Sequence, residues 1–213
     1  MGRQRDKAAR NSRTGWLAFL LALMGCVPTL HGADSAYARA VHSTLRVEDA
    51  RGRTLGAAVC LGGGVAVTAV HVIRDQKPFR LAGLDIKSNW QREPLAVHPF
   101  YELALVEAPI DCPAAQPAPP NVTDEVFTLG FPENGWEQHA SFGRVGSVVG
   151  RYVRTNILVA RGNSGGGLWT LDGKLVGICS GKGELGAQFL DIRPAVLMVQ
   201  QAVARVPERA RLR

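Results

Sequence analysis

Three side chains in this 213-residue chain have the types and the order needed for nucleophilic catalysis: His71, Glu102 and Ser164. Ser164 lies in RGNSGGGLW, residues 161–169, one serine among four glycines. A serine hydroxyl is a weak nucleophile at neutral pH, so it needs a base, usually a histidine whose tautomer is held by a carboxylate. His71 follows the apolar run VAVTAV, and Glu102 opens the next strong run, YELALVEAP, 31 residues later. The same glycines also read as a tight turn, since glycine accepts positive φ without steric cost. The turn and the nucleophile are compatible readings of one loop.

These residues need elements that bring them together. The G-x-S-x-G pattern marks the nucleophile elbow of α/β-hydrolases, where the acid and the histidine follow the serine. Here the last histidine is His139, so none follows Ser164. That class also needs a parallel sheet with crossover helices. From residue 41 onward the chain instead shows short apolar runs broken by glycine, proline or polar clusters. STLRV, GAAVCL, GVAVTAV, LALVEA, EVFTLG, RVGSVVG, NILVAR, GLWTL, KLVGICS and AQFLDI are predicted strands. Helical periodicity enters only at RPAVLMVQQAVARV, which predicts a helix over 193–206. Residues 108–121 hold five prolines and read as an extended connector. Two β lobes follow, about 41–107 and 122–192, with His71 and Glu102 on the first and Ser164 on the second.

Three stretches in this order resemble the trypsin-like (chymotrypsin-fold) serine peptidases. TAVH is similar to that family's motif at the histidine, ELAL to its motif at the acid with glutamate in place of aspartate, and GNSGG to its motif at the serine. The resemblance spans about residues 41–206. It implies an all-β fold of two six-stranded antiparallel β-barrels, with the active site in the cleft between them and a C-terminal helix. It also implies peptide-bond hydrolysis through an acyl-enzyme, with a polypeptide as substrate and no cofactor. His71 would be the general base, Glu102 its orienting acid, and the N–H groups of Gly162 and Ser164 the oxyanion hole. Leu158, six residues before the serine, would form the base of the substrate pocket, with Ser180 and Gly181 as its wall. An apolar base favours small or medium uncharged side chains, because a buried unpaired charge is costly.

Asn163 stands where the digestive branch carries the aspartate that pairs with a newly cut N-terminus, so zymogen activation is not implied. Val72 replaces the cysteine that commonly lies beside the histidine. The chain looks closer to the bacterial periplasmic proteases of the high-temperature-requirement type. Only a helix and a basic tail, 207–213, follow the second lobe, so their PDZ domain is not expected.

The remaining features bound the setting. The formal charge of +7 is concentrated at the start: residues 1–33 hold five basic and one acidic residue, and removing that net +4 leaves +3. No aromatic side chains accompany the basic tail, and no nucleic-acid partner is expected. Residues 16–27, WLAFLLALMGCV, are apolar but shorter than the ~20 residues of a membrane span. Residues 1–33 therefore read as an export signal ahead of a peptidase domain at 34–206. The destination is the periplasm or the exterior. Two endings compete: a lipobox-like LMGC that would acylate Cys26, and ordinary cleavage within HGADSAYARA. A membrane enters only through a lipidated Cys26 or an uncleaved signal.

Three cysteines lie beyond it, Cys60, Cys112 and Cys179, so at least one stays unpaired within the chain. Cys60 and Cys179 read as small buried hydrophobes. Without a C-x-x-C, and with scattered histidines, no metal site is expected. Two functions remain in competition: an exported serine endopeptidase, and a protease-fold binding protein with little or no turnover, tethered to a membrane.

Overall fold

The computed structural model describes residues 31–132, 137–183 and 186–210. Most of the export signal, including Cys26, and the last three residues of the tail lie outside them. In chain order the elements are α1 (His31–Ser43), β1 (Thr44–Asp49), β2 (Thr54–Gly62), β3 (Val65–Ala69), α2 (Val70–Ile73), β4 (Phe79–Ala82), β5 (Ala96–Val97), β6 (Leu103–Glu107) and β7 (Gln116–Pro117). There follow β8 (Glu125–Gly130), β9 (His139–Val149), β10 (Tyr152–Thr155), β11 (Gly167–Thr170), β12 (Lys174–Lys182), β13 (Ala187–Asp191) and α3 (Arg193–Ala210).

The second lobe is a closed antiparallel barrel of six strands, ordered β11-β8-β9-β10-β13-β12 and completed by pairing of β12 with β11. The first lobe corrects the expectation of two barrels. Its six strands run β4-β1-β2-β3-β6-β5 and do not close. The physical reason lies at the edges. β5 has only two residues, and β4 meets the chain beyond it through isolated bridges, Phe79 to Gln91 and Ala82 to Lys87. The side chain of Gln91 spans the gap, its Nε2 donating to the Glu107 carbonyl and its Oε1 accepting from the Glu107 N–H, both at 2.8 Å. One amide side chain stands where a strand ladder would be.

The apolar runs are nearly continuous because these strands bury both faces. On β2, β3 and β6 successive residues alternate between two cores, as a period of two requires. Ala58, Cys60, Ala66, Ala104 and Val106 fill the first lobe. Val59, Val67, Leu103 and Leu105 face the other way, into a core shared with Phe127, Leu129 and Trp169 of the second lobe. Ala195 and Met198 of α3 enter that shared core, and the Asp191 carboxylate accepts from the Arg193 N–H at 2.9 Å where the helix begins. Losing a buried leucine at such a seam costs about 2–5 kcal/mol.

NILVAR is not a strand. Asn156 Oδ1 accepts from the Arg144 N–H at 2.8 Å, and Thr155 Oγ1 from the Ile157 N–H at 3.2 Å, so side chains replace the ladder and the segment leaves the sheet. β10 takes its place in the barrel. Cys60 is not a lone buried thiol either: it forms a disulfide with Cys112 across 52 residues, tying the proline-rich connector to β2. The connector then adds β7 to the edge of β12 as a two-residue parallel strand. Pro117 is tolerated there because an edge strand can spare an N–H.

Candidate active site

β3 and β6 pair antiparallel with Ala69 opposite Leu103, so the residues just beyond that pair emerge side by side. His71 lies in α2 immediately after β3, and Glu102 immediately before β6. The Val70 N–H donates to the Glu102 carbonyl at 3.1 Å, which fixes both backbones. Glu102 Oε1 then receives two donors: His71 Nδ1 at 2.8 Å and the His71 N–H at 3.2 Å. A carboxylate only accepts, so Nδ1 carries the proton and Nε2 is left as the acceptor. The side chains are each about one-third exposed, 37% for His71 and 36% for Glu102. Arg74 Nη2 lies 4.0 Å from the same carboxylate oxygen.

The serine arrives from the other lobe on a loop pinned from both sides. Gly165 N–H donates to the Cys179 carbonyl, and Cys179 N–H to the Gly166 carbonyl, both at 2.8 Å. Across the cleft, the Ala57 N–H of β2 donates to the Ser164 carbonyl at 2.8 Å. Gly56 marks the convergence: a Cβ there would stand 2.6 Å from the Ser164 carbonyl oxygen and 3.0 Å from both methyls of Val72, the neighbour of His71. The histidine turn, the serine loop and β2 thus meet over one missing side chain. Thr68 supports the junction by donating its hydroxyl to the Ala57 carbonyl at 2.7 Å. Sequence reading assigned no role to Gly56, although a glycine inside a strand pattern signals close backbone approach.

Two of the loop glycines are dictated by space. Gly162 has φ +94° and Gly165 φ +82°. A Cβ would fall 1.8 Å from the Phe131 carbonyl oxygen in the first case and 2.0 Å from that of Ala57 in the second. Among the described residues, the N–H groups of Gly162 and Ser164 donate no hydrogen bond, while the N–H of Asn163 between them donates to the Ala160 carbonyl. Two free donors flanking one committed donor are what an incoming oxyanion needs. The Ser164 hydroxyl also makes no hydrogen bond among the described residues, to His71 or to any other group.

The remaining predicted residues lie beyond the serine loop. Ser180 is half-buried and donates its hydroxyl to the Gln188 carbonyl at 3.1 Å. Gly181 has open space where a Cβ would be. Leu158 is 82% exposed, so the surface it offers is open to solvent. The ladder between β11 and β12 ends at Gly167 opposite Ile178, which leaves the Ser180–Lys182 edge without a strand partner on that side among the described residues. The Cys179 thiol behind the loop is pushed up to about 12 by burial, so it stays protonated and packs as an apolar group.

A histidine held by a carboxylate, a serine on a glycine loop with free amides, and two β lobes meeting between them define a serine hydrolase of the double-lobed β class. The trypsin-like peptidase domain matches residues 56–178, and the chain belongs to that family. It is a serine-type endopeptidase. No curated protein sequence matches it. Among solved structures it is similar to a serine endoprotease from Yersinia pestis, with a TM-score of 0.69 and 25% identity over 84% of this chain and 68% of that one. The M. tuberculosis H37Rv protein Rv3671c, in an inactive form, shares the fold with a TM-score of 0.67 at 16% identity, over 84% of this chain and 96% of that one. An HtrA-type protease, AlgW with a decapeptide, does so with a TM-score of 0.67 at 18% identity, over 81% of this chain and 67% of that one.

Proposed function

We propose that His71, Glu102 and Ser164 form the catalytic triad of an exported endopeptidase. The observation that carries this reading is the pair of hydrogen bonds from His71 to Glu102, on the side of the cleft to which Ala57 ties the serine loop. A substrate carbonyl carbon is attacked by Ser164 Oγ as His71 Nε2 takes the hydroxyl proton. The oxygen of the tetrahedral intermediate accepts from the N–H groups of Gly162 and Ser164; one such donor is worth roughly 3–4 kcal/mol of barrier. His71 passes the proton to the leaving amine, and water then hydrolyses the acyl-enzyme by the same steps in reverse. The hydrogen bond between Ser164 and His71 closes on substrate binding, since such bonds are often long in unliganded sites.

Leu158, with Ser180 and Gly181, accepts a small or medium uncharged side chain before the cut. Residues 1–33 direct export to the periplasm, with Cys26 the point of anchoring if the lipobox is used, and the peptidase domain begins at residue 34. The proposal is tested with a fluorophosphonate probe on the purified chain. Stoichiometric labelling and peptidase activity, both abolished in Ser164→Ala, are expected. An unlabelled wild type without turnover overturns the triad in favour of a protease-fold binding protein.

A further inference from the structure

Beside the triad carboxylate lies a cavity of about 470 Å³ whose wall includes Glu102 on one side and Ser180 on the other. It therefore adjoins both the proposed base–acid pair and the β12 edge along which an extended peptide would add as a strand. Its polar chemistry is unbalanced. Glu102 is the one carboxylate in the lining, and it is already engaged by two donors of His71. The lining also holds two guanidinium groups: Arg74, whose Nη2 lies 4.0 Å from that carboxylate, and Arg151. His98 Nδ1 accepts from the N–H groups of Phe100 and Tyr101 at 3.1 Å each, so its Nε2–H adds a third donor to the lining.

Arg151 is held in place. It donates one N–H to the Phe100 carbonyl, and its guanidinium carbon lies 5.0 Å from the ring centre of Tyr152 and 5.8 Å from that of Tyr101. A guanidinium has five N–H donors, so most of the fork remains for a ligand. A planar fork held beside two aromatic rings suits a carboxylate, which it can bind bidentately. A lysine or arginine side chain entering the same cavity would meet two like charges.

We propose that this cavity is a subsite for an acidic side chain of the substrate, upstream of the scissile bond, and that Arg151 is the residue that reads it. The proposal rests on the triad reading above. It is tested with the full chain and matched quenched peptides carrying Glu, Gln or Lys at the second, third or fourth residue before the cut.

The expected result is a kcat/KM about tenfold higher for Glu than for Gln at one of these positions, the size of a charge-assisted hydrogen bond in a half-open site. Arg151→Gln should abolish that ratio while retaining hydrolysis of the Gln peptide, and Arg151→Glu should favour the Lys peptide. A loss of positioning alone would lower all three substrates together. Ser164-dependent hydrolysis with no Glu preference, or a preference unchanged in Arg151→Gln, overturns the subsite and leaves the triad standing. No Ser164-dependent hydrolysis of any peptide overturns both.

Discussion

Glu102 holds His71 through one oxygen and two donors, Oε1 standing 2.8 Å from Nδ1 and 3.2 Å from the backbone N–H. The extra methylene of glutamate, relative to aspartate, is thus absorbed without lengthening the contact to the ring. A shorter acid at this position would leave a gap, because the backbone at residue 102 is itself fixed by the Val70 N–H. Glu102→Asp should therefore lose activity by roughly a hundredfold, the scale of a 1 Å misplacement. Glu102→Gln should lose more, about 10⁴-fold, since its amide can hold the wrong tautomer. Steady-state kinetics on both variants check this. A gain of activity in Glu102→Asp would mean that the native pair is the detuned one.

The disulfide between Cys60 and Cys112 closes a loop of 52 residues that contains both His71 and Glu102. Cross-links of this span limit the unfolded chain and typically stabilise by about 2–4 kcal/mol. Cys60→Ala/Cys112→Ala should show that loss in denaturant unfolding as a lower midpoint with a steeper slope, because the unfolded chain without the cross-link exposes more surface. Cys112 also anchors the connector, so proteolysis between residues 108 and 121 should accelerate in the variant. An unchanged unfolding midpoint would show that the bond adds nothing to the folded chain.

The three residues proposed as the triad stood out because each lies in a local motif with its own spacing, and their order argued against the competing serine enzyme class. Strand positions were legible in the longer apolar runs, GAAVCL, GVAVTAV, LALVEA and KLVGICS among them. What escaped was set by contacts distant in sequence. β4, β5 and β10 have only two to four residues each, too short to stand out as apolar runs, and they become strands because β1, β6 and β9 offer them a ladder. NILVAR looked like a strand by composition and lost its ladder to two side chains. The open first lobe depended on Gln91 reaching Glu107, which no local pattern encodes. The pairing of Cys60 depended on where the connector doubled back. Arg151 and Glu102 are 49 positions apart, and only the folded chain places them on one cavity.

The helix α1 bears on where export processing can cut. Ala36 and Ala40 are 2% and 0% exposed, and Ala40 belongs to the core shared by the two lobes. Gly173, at φ +80°, lies so near Ala36 that a Cβ there would come within 2.9 Å of the Ala36 side chain. The Tyr37 ring lies 5.4 Å from that of Phe127, tilted by 43°, and Gln138 Nε2 donates to the carbonyls of Val41 and Thr44. Cleavage within the stretch 36–40 would strip buried groups from the domain, so the mature chain should begin before Ala36, either near Ala33 or at an acylated Cys26. Intact-mass measurement of the exported protein distinguishes these endings. A chain started at residue 41 should be destabilised by several kcal/mol, as expected when buried side chains and the contacts around them are removed together. A stable, fully active protein beginning at residue 41 would show that the helix is dispensable to the fold.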